Sequence, residues 1–145
     1  MKLKNEIFNT DNSKTTILVR LMVGVIFFSE GIQKFLFPDT LGAGRFAKIG
    51  LPAPEFLADF VGFFEILCGA LILAGLLTRL ASIPLIIIMM VAIATTKADL
   101  LAKEGFWEMM HGSRTDWAML MGALFLLIEG AGFFSLDKRL LQNEK

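Results

Sequence analysis

The chain has 145 residues, of which 55% are hydrophobic and 19% are charged, and its mean hydropathy is +0.66. A soluble domain averages about 45–50% apolar and about 25% charged residues, so this composition excludes an ordinary soluble domain and predicts a membrane protein. The formal net charge is zero, which excludes a basic surface for nucleic acid, and the single cysteine excludes an internal disulfide.

A polar tail, residues 1–15, precedes the first apolar stretch, residues 17–37. At 1.5 Å per residue this stretch is long enough to cross a bilayer core of about 30 Å. It carries Arg20, Glu30 and Lys34, which share one face of a helix. Because an unpaired charge facing lipid costs at least a few kcal/mol, we expect this face to meet oppositely charged groups on other helices. We expect the stretch to be retained rather than cleaved as a signal peptide, because polar residues precede it and charges interrupt it.

The second and third predicted spans are residues 60–77 and 80–96. The second span contains one acid, Glu65. It also has Gly62 and Gly69 on one face, where the absence of side chains allows another helix to approach closely. The third span contains no charge, so it can face lipid more widely than the others.

Two longer connecting segments, residues 40–59 and 97–116, contain apolar and aromatic residues, and we expect them to lie at the membrane interface. The fourth predicted span is residues 117–134, with Glu129 inside it, and residues 136–145 form a basic tail. The sequence thus predicts an all-α integral membrane protein. Its domain, residues 16–135, is a bundle of four transmembrane helices with interfacial segments in the loops after helices 1 and 3.

Lysine and arginine are concentrated in the short segments on the side that holds both termini. Cytoplasmic loops carry an excess of these residues, so we expect both termini to be cytoplasmic in a multi-pass protein of the cytoplasmic (inner) membrane.

The four alternating spans place the intramembrane charges at two depths. Arg20 and Glu129 lie in the cytoplasmic third and predict an inner ion pair, whereas Glu30, Lys34 and Glu65 lie at an outer level. In one interpretation these charges only orient the helices. In the other, the outer group lines a polar pocket in which Glu65, Lys34 and Glu30 relay a proton, and all five residues are candidates for binding a ligand.

Charged, glycine and proline residues recur at defined spacings through the first two spans and the loop between them. The pattern reads Arg20, Gly24, Gly31-x-x-Lys34-Phe35, then Gly50-Leu51-Pro52-x-Pro54, then Glu65-x-x-x-Gly69, Leu73-x-Gly75-Leu76-x-Thr78-Arg79. It resembles the DoxX family of small four-helix bacterial membrane proteins, over about residues 16–135. The resemblance implies an oxidoreductase or quinol-oxidase-type subunit. Some members are similar to the small subunit of a thiosulfate:quinone oxidoreductase, and others go with quinone detoxification or oxidative-stress complexes.

From these features we favour a membrane subunit of a quinone-linked oxidoreductase or redox-stress system, with the lipid bilayer and a redox protein as partners. No catalytic motif is recognisable, so whether the chain is itself an enzyme stays open. A quinone is the candidate cofactor, and we expect no metal site because the chain has one histidine. A small transporter or proton-conducting protein, a membrane scaffold that recruits a soluble enzyme, and homo-oligomer formation also stay open.

Overall fold

A computed structural model describes residues 13–142, so most of the predicted N-terminal tail and the last three residues of the C-terminal tail lie outside the described residues. Within this range the chain is helical and forms no strand. Its helices are α1 (Thr16–Leu36), α2 (Ala43–Lys48), α3 (Pro54–Ala74), α4 (Thr78–Glu104), α5 (Phe106–Gly112), α6 (Arg114–Glu129) and α7 (Leu136–Gln142).

Three of these helices, α1, α3 and α4, are long and apolar enough to cross a membrane; they have 21, 21 and 27 residues. The predicted class, an all-helical membrane protein, is therefore confirmed. The predicted fourth span, residues 117–134, overlaps α6, which has 16 residues and is not among the three helices long enough to cross a membrane. This helix ends at Glu129 because Gly130 adopts a φ of +80°, a backbone conformation that favours glycine and breaks the helix.

Besides the end of α6, five residues before the predicted end of the fourth span, two helix boundaries differ from the sequence prediction by more than one turn. Helix α3 begins at Pro54, six residues before the predicted start, because a proline in the first helical turn needs no N–H partner. Helix α4 continues to Glu104, eight residues beyond the predicted end at Thr96. The added residues are mostly good helix formers, and the helix stops at Gly105, whose φ is +88°.

The most extensive contact between helices is that of α1 with α3. Gly24 and Gly31 of α1 face Gly62 and Gly69 of α3, in antiparallel order. A Cβ atom on Gly31 would lie 2.7 Å from the carbonyl oxygen of Gly62, so the backbones are in direct contact. Gly62 and Gly69 thus occupy the positions at which the sequence predicts close approach of another helix.

Helix α6 contacts α4 and α1, and α4 also contacts α3, so each of these four helices touches two others. They share one apolar core, to which every one of them contributes buried side chains: Val23, Phe27, Cys68, Ile72, Leu85, Met89, Met119 and Leu126.

Replacing Gly69 by Val should force α1 and α3 apart and lower the thermal stability of the detergent-purified protein. A Cβ atom there would lie 2.7 Å from the backbone nitrogen of Phe28 and 3.0 Å from the carbonyl oxygen of Gly24. We expect a loss of about 2 kcal/mol, which is typical of overpacking. Ala70→Val, at the exposed neighbouring position, is the control and should change the unfolding temperature little. Equal stabilities of the two variants would contradict this tight helix contact.

Candidate functional site

The charged side chains of the long helices lie at two levels, one toward each end of α1. We call the end at which α1 and α4 begin the Arg20 end, and the end at which α3 and α6 begin the Lys34 end. Consecutive long helices run in opposite directions, so the last turns of α3 and α6 meet the first turns of α1 and α4 at the Arg20 end.

A cavity of about 420 Å³ lies between α1, α2, α3, α4 and α6. Its size falls in the range of small-molecule sites, about 300–1,000 Å³. Its apolar lining consists of Ile26, Phe27, Phe46, Ile49, Leu51, Leu57, Phe60, Val61, Ile87, Ile88, Met89, Val91, Ala92 and Met119. Its polar lining consists of Glu30, Lys34, Arg45, Glu65, Thr95, Thr96, Thr115 and Asp116. The cavity is thus an apolar chamber with a limited set of polar groups.

An ion pair joins α1 and α3 in the wall of this cavity. The Nζ atom of Lys34 lies 2.6 Å from Oε2 of Glu65, and the two side chains are 11% and 6% exposed. Helical side chains lean toward the N-terminus of their helix, so the long lysine reaches back along α1 to the level of Glu65. Glu30, one turn before Lys34, lines the same cavity. The structure therefore brings the predicted outer group, Glu30, Lys34 and Glu65, to one cavity.

A second ion pair lies at the Lys34 end, between α4 and α6. Lys97 Nζ is 3.0 Å from Asp116 Oδ2 and donates a hydrogen bond of 2.8 Å to the carbonyl oxygen of Gly112. Because Asp116 lines the cavity, this pair fixes the wall opposite the Lys34–Glu65 pair.

The predicted pair of Arg20 with Glu129 is wrong. Arg20 is buried, and within residues 13–142 its guanidinium donates to backbone carbonyl oxygens rather than to a carboxylate. Nε bonds Ile72 at 2.9 Å, Nη2 bonds Leu73 at 2.7 Å, and Nη1 bonds Ala131 at 3.1 Å and also Phe134. The last carbonyls of a helix have no partner within that helix, and Arg20 satisfies those at the end of α3. Glu129 is half-buried and does not line the cavity.

Asp137 closes the Arg20 end from α7. Its carboxylate accepts hydrogen bonds from the backbone N–H groups of Leu77, at 2.7 Å, and Thr78, at 3.1 Å, and so caps the start of α4. Burial raises the pKa of the Asp137 carboxyl above its ordinary value, while the two N–H bonds and the charge of Arg20 oppose that shift. The two charged groups of this end, Arg20 and Asp137, bond backbone groups of the chain itself and so hold helix ends together. The cavity, by contrast, is lined by charged groups that a ligand can reach.

The DoxX family profile matches residues 15–98, more than half of the chain. The chain belongs to the DoxX family. The matched region includes the Lys34–Glu65 pair and every cavity residue of α1 to α4, and it ends before α6.

Two relatives of this DoxX protein cover nearly its full length. "Uncharacterized membrane protein Rv3486" of Mycobacterium tuberculosis is 51% identical over 140 residues, which cover 92% of this chain and 86% of the relative. "Putative oxidoreductase CatD" of Bacillus subtilis is 30% identical over 130 residues, which cover 90% of each protein. No solved structure matches this DoxX protein significantly.

Sequence reasoning missed Arg45, Asp116 and Asp137. The first lies on a six-residue helix within a loop, and no local pattern predicts that it faces the cavity. Lys97 and Asp116 are opposite charges at the two ends of the predicted connecting segment 97–116, a signal that could have suggested their pairing. Asp137 was missed because residues 136–145 were described only by their net basic charge, which hides a single acid among basic neighbours.

Proposed function

We propose that this DoxX protein is a membrane subunit of a quinone-linked oxidoreductase or redox-detoxification system, and that its cavity binds the quinone head group. The observation that carries the proposal is the apolar chamber of about 420 Å³ with the Lys34–Glu65 ion pair in its wall. A quinone ring is flat and apolar with two carbonyl oxygens, so it suits apolar walls that supply a hydrogen-bond donor. The name of the Bacillus subtilis relative supports an oxidoreductase role.

In this proposal the chain crosses the inner membrane four times, as one domain of residues 16–135. Helix α6 is the fourth span: its 16 residues rise about 24 Å, and residues 130–135 complete the crossing. Helices α2 and α5 lie at the membrane interface, which the exposed Phe106 and Trp107 of α5 support. Both termini face the cytoplasm.

The proposed division of roles follows from the chemistry of the cavity. The Lys34 ammonium donates a hydrogen bond to a quinone carbonyl, and Glu65 accepts or returns the two protons, one after the other, when the quinol and the quinone interconvert. Glu30 relays each proton between Glu65 and the Lys34 end, so that Glu65 can serve the second. A partner protein exchanges the two electrons, because the sequence has no motif for a redox centre.

The test is gentle purification followed by mass spectrometry of bound quinones. We expect the wild-type protein and Glu129→Gln to retain quinone in similar amounts, and Glu65→Gln to retain little. The control replaces an acid of another helix that does not line the cavity. Wild-type protein without quinone, together with unchanged quinone-dependent electron flow after deletion of the protein, would refute the proposal.

Two alternative functions lead to different results. A transporter or proton-conducting protein needs a polar path, and buried Val23 and Phe27 separate Arg20 from Glu30 along α1. Proton flux into liposomes that is abolished by Glu65→Gln would favour this class. A scaffold for a soluble enzyme would keep its function in the double variant Lys34→Met with Glu65→Gln, which leaves neither partner of the pair charged. It would lose function when α2, α5 or the basic tail is altered.

A further inference from the structure

The cavity wall includes apolar side chains that are also open to the outside of the protein. Phe60 of α3 and Ile87 and Val91 of α4 line the cavity, yet 49%, 56% and 48% of their surfaces are exposed. Both helices are long and apolar enough to cross a membrane, so exposed apolar side chains on them face acyl chains. The cavity is only partly enclosed, and this exposed apolar rim places its opening between α3 and α4, toward the hydrocarbon region.

The opening also lies at a depth that corresponds to the hydrocarbon region of the bilayer. Val91 lies thirteen residues after the start of α4, about 20 Å along the helix axis, which is close to its middle. Ile87 lies one turn nearer to the Arg20 end. Helix α3 also packs less extensively against α4 than against α1. The opening thus lies within the acyl-chain region.

The charged lining of α1 and α2 lies away from the apolar opening, although Thr95 and Thr96 follow Val91 on α4. Lys34 and Glu65 form their pair between α1 and α3, and Arg45 approaches from α2. Within the described part of the chain, no cation lies within ion-pair distance of the Glu30 carboxylate. The cavity therefore offers charged groups to one part of a ligand and hydrocarbon to another. A volume of about 420 Å³ is in the range of sites for drug-sized ligands. The cavity can therefore hold a polar head group, but it cannot also enclose a long apolar tail.

We propose that the cavity takes its ligand laterally from the bilayer, as an amphiphile whose polar head lies at the Lys34–Glu65 pair and whose apolar tail leaves between α3 and α4. This inference deepens the proposed function and rests on its premise that the cavity holds a ligand. For a quinone the tail is the isoprenoid chain. Another bilayer-resident lipid with one tail would present the same chemistry.

The test compares two neighbouring tryptophan substitutions on α4. Val91→Trp places a bulky ring at the opening. Met90→Trp is the control, because Met90 is 59% exposed but does not line the cavity. Each protein is placed in nanodiscs and titrated with two probes, a decyl-tailed benzoquinone and the same benzoquinone without a tail. We expect Val91→Trp to weaken binding of the tailed probe about tenfold or more and to leave the tail-less probe unchanged. Met90→Trp should bind both probes like the wild type.

Similar binding of the tailed probe by both variants would overturn lateral passage, even if the wild type binds quinone. Loss of both probes in Val91→Trp would also overturn it, provided that the unfolding temperature is unchanged, because the ring would then fill the head-group site. Ile87→Trp is a second variant at the opening and should behave like Val91→Trp.

A third arm separates this inference from the proposed function. The lipids that co-purify with each protein are identified by mass spectrometry. If the wild-type protein binds neither of the two benzoquinone probes, the proposed function fails. The lateral opening is then supported only by a single-tailed lipid that is retained by wild type and Met90→Trp and lost from Val91→Trp. Equal retention by all three proteins, or no retained amphiphile at all, overturns it.

Discussion

Lys34→Met and Glu65→Gln should each lower the stability of the protein by about 3 kcal/mol or more and remove quinone retention. The two charged atoms are 2.6 Å apart and both side chains are largely buried, so either substitution leaves a charge without its counter-ion. Removing one partner of a buried ion pair costs about 3–5 kcal/mol for this reason. The measurement is thermal unfolding of the purified variants, together with the amount of bound quinone.

The double variant, Lys34→Met with Glu65→Gln, separates stability from binding. It removes both charges of the Lys34–Glu65 pair and leaves neither without its counter-ion, so it should regain most of the stability that either single variant loses, while quinone retention stays absent. Lys103→Met is the control. It breaks an exposed pair with Asp99, at 3.8 Å, and such pairs contribute about 1 kcal/mol or less. Additive losses in the double variant would show that Lys34 and Glu65 do not act as a pair.

Arg20→Met should destabilise the protein by about 3 kcal/mol or more, because four carbonyl oxygens lose a charged donor. These carbonyls belong to the end of α3 and to the segment after α6. The substitution therefore loosens the contact of α1 with both of them. The measurement is thermal unfolding in detergent, with limited proteolysis to show whether the segment after α6 becomes susceptible.

Arg20→Lys and Glu129→Gln are the comparison variants for this prediction. An ammonium group is a compact donor without the planar fork of a guanidinium, so Arg20→Lys should recover only part of the stability. Glu129→Gln should have little effect. Equal destabilisation by Glu129→Gln and Arg20→Met would contradict the dominant role of the carbonyl contacts of Arg20.

The structure could be predicted from the sequence where a single physical constraint decides it. Long apolar runs can only be satisfied as helices in lipid, so the membrane class and the positions of α1, α3 and α4 follow from composition and length. The shared depth of Lys34 and Glu65 follows from counting residues along antiparallel helices of fixed rise. Their meeting at one cavity could therefore be predicted without knowing any packing detail.

The partners of Arg20 could not be predicted in this way. Depth alone suggested Glu129, but the guanidinium instead bonds carbonyl oxygens, which every residue has and which no sequence pattern marks. Those carbonyls became available because α3 ends at Ala74 and because the chain turns at Gly130, and helix ends are the least predictable part of a helix. Arg45 was missed for a similar reason, because its position depends on how a loop folds back onto the spans.

The contacts of Arg20 also constrain the order in which the protein can be completed. Its hydrogen bonds to Ala131 and Phe134 join residues 111 and 114 positions apart in a chain of 145. During synthesis α1 leaves the ribosome first. The Arg20 guanidinium therefore lacks two of its carbonyl acceptors until residues near the end of the chain have been made. Final closure of this end of the molecule is therefore a late event, and a chain interrupted before residue 131 would leave a buried charge only partly satisfied.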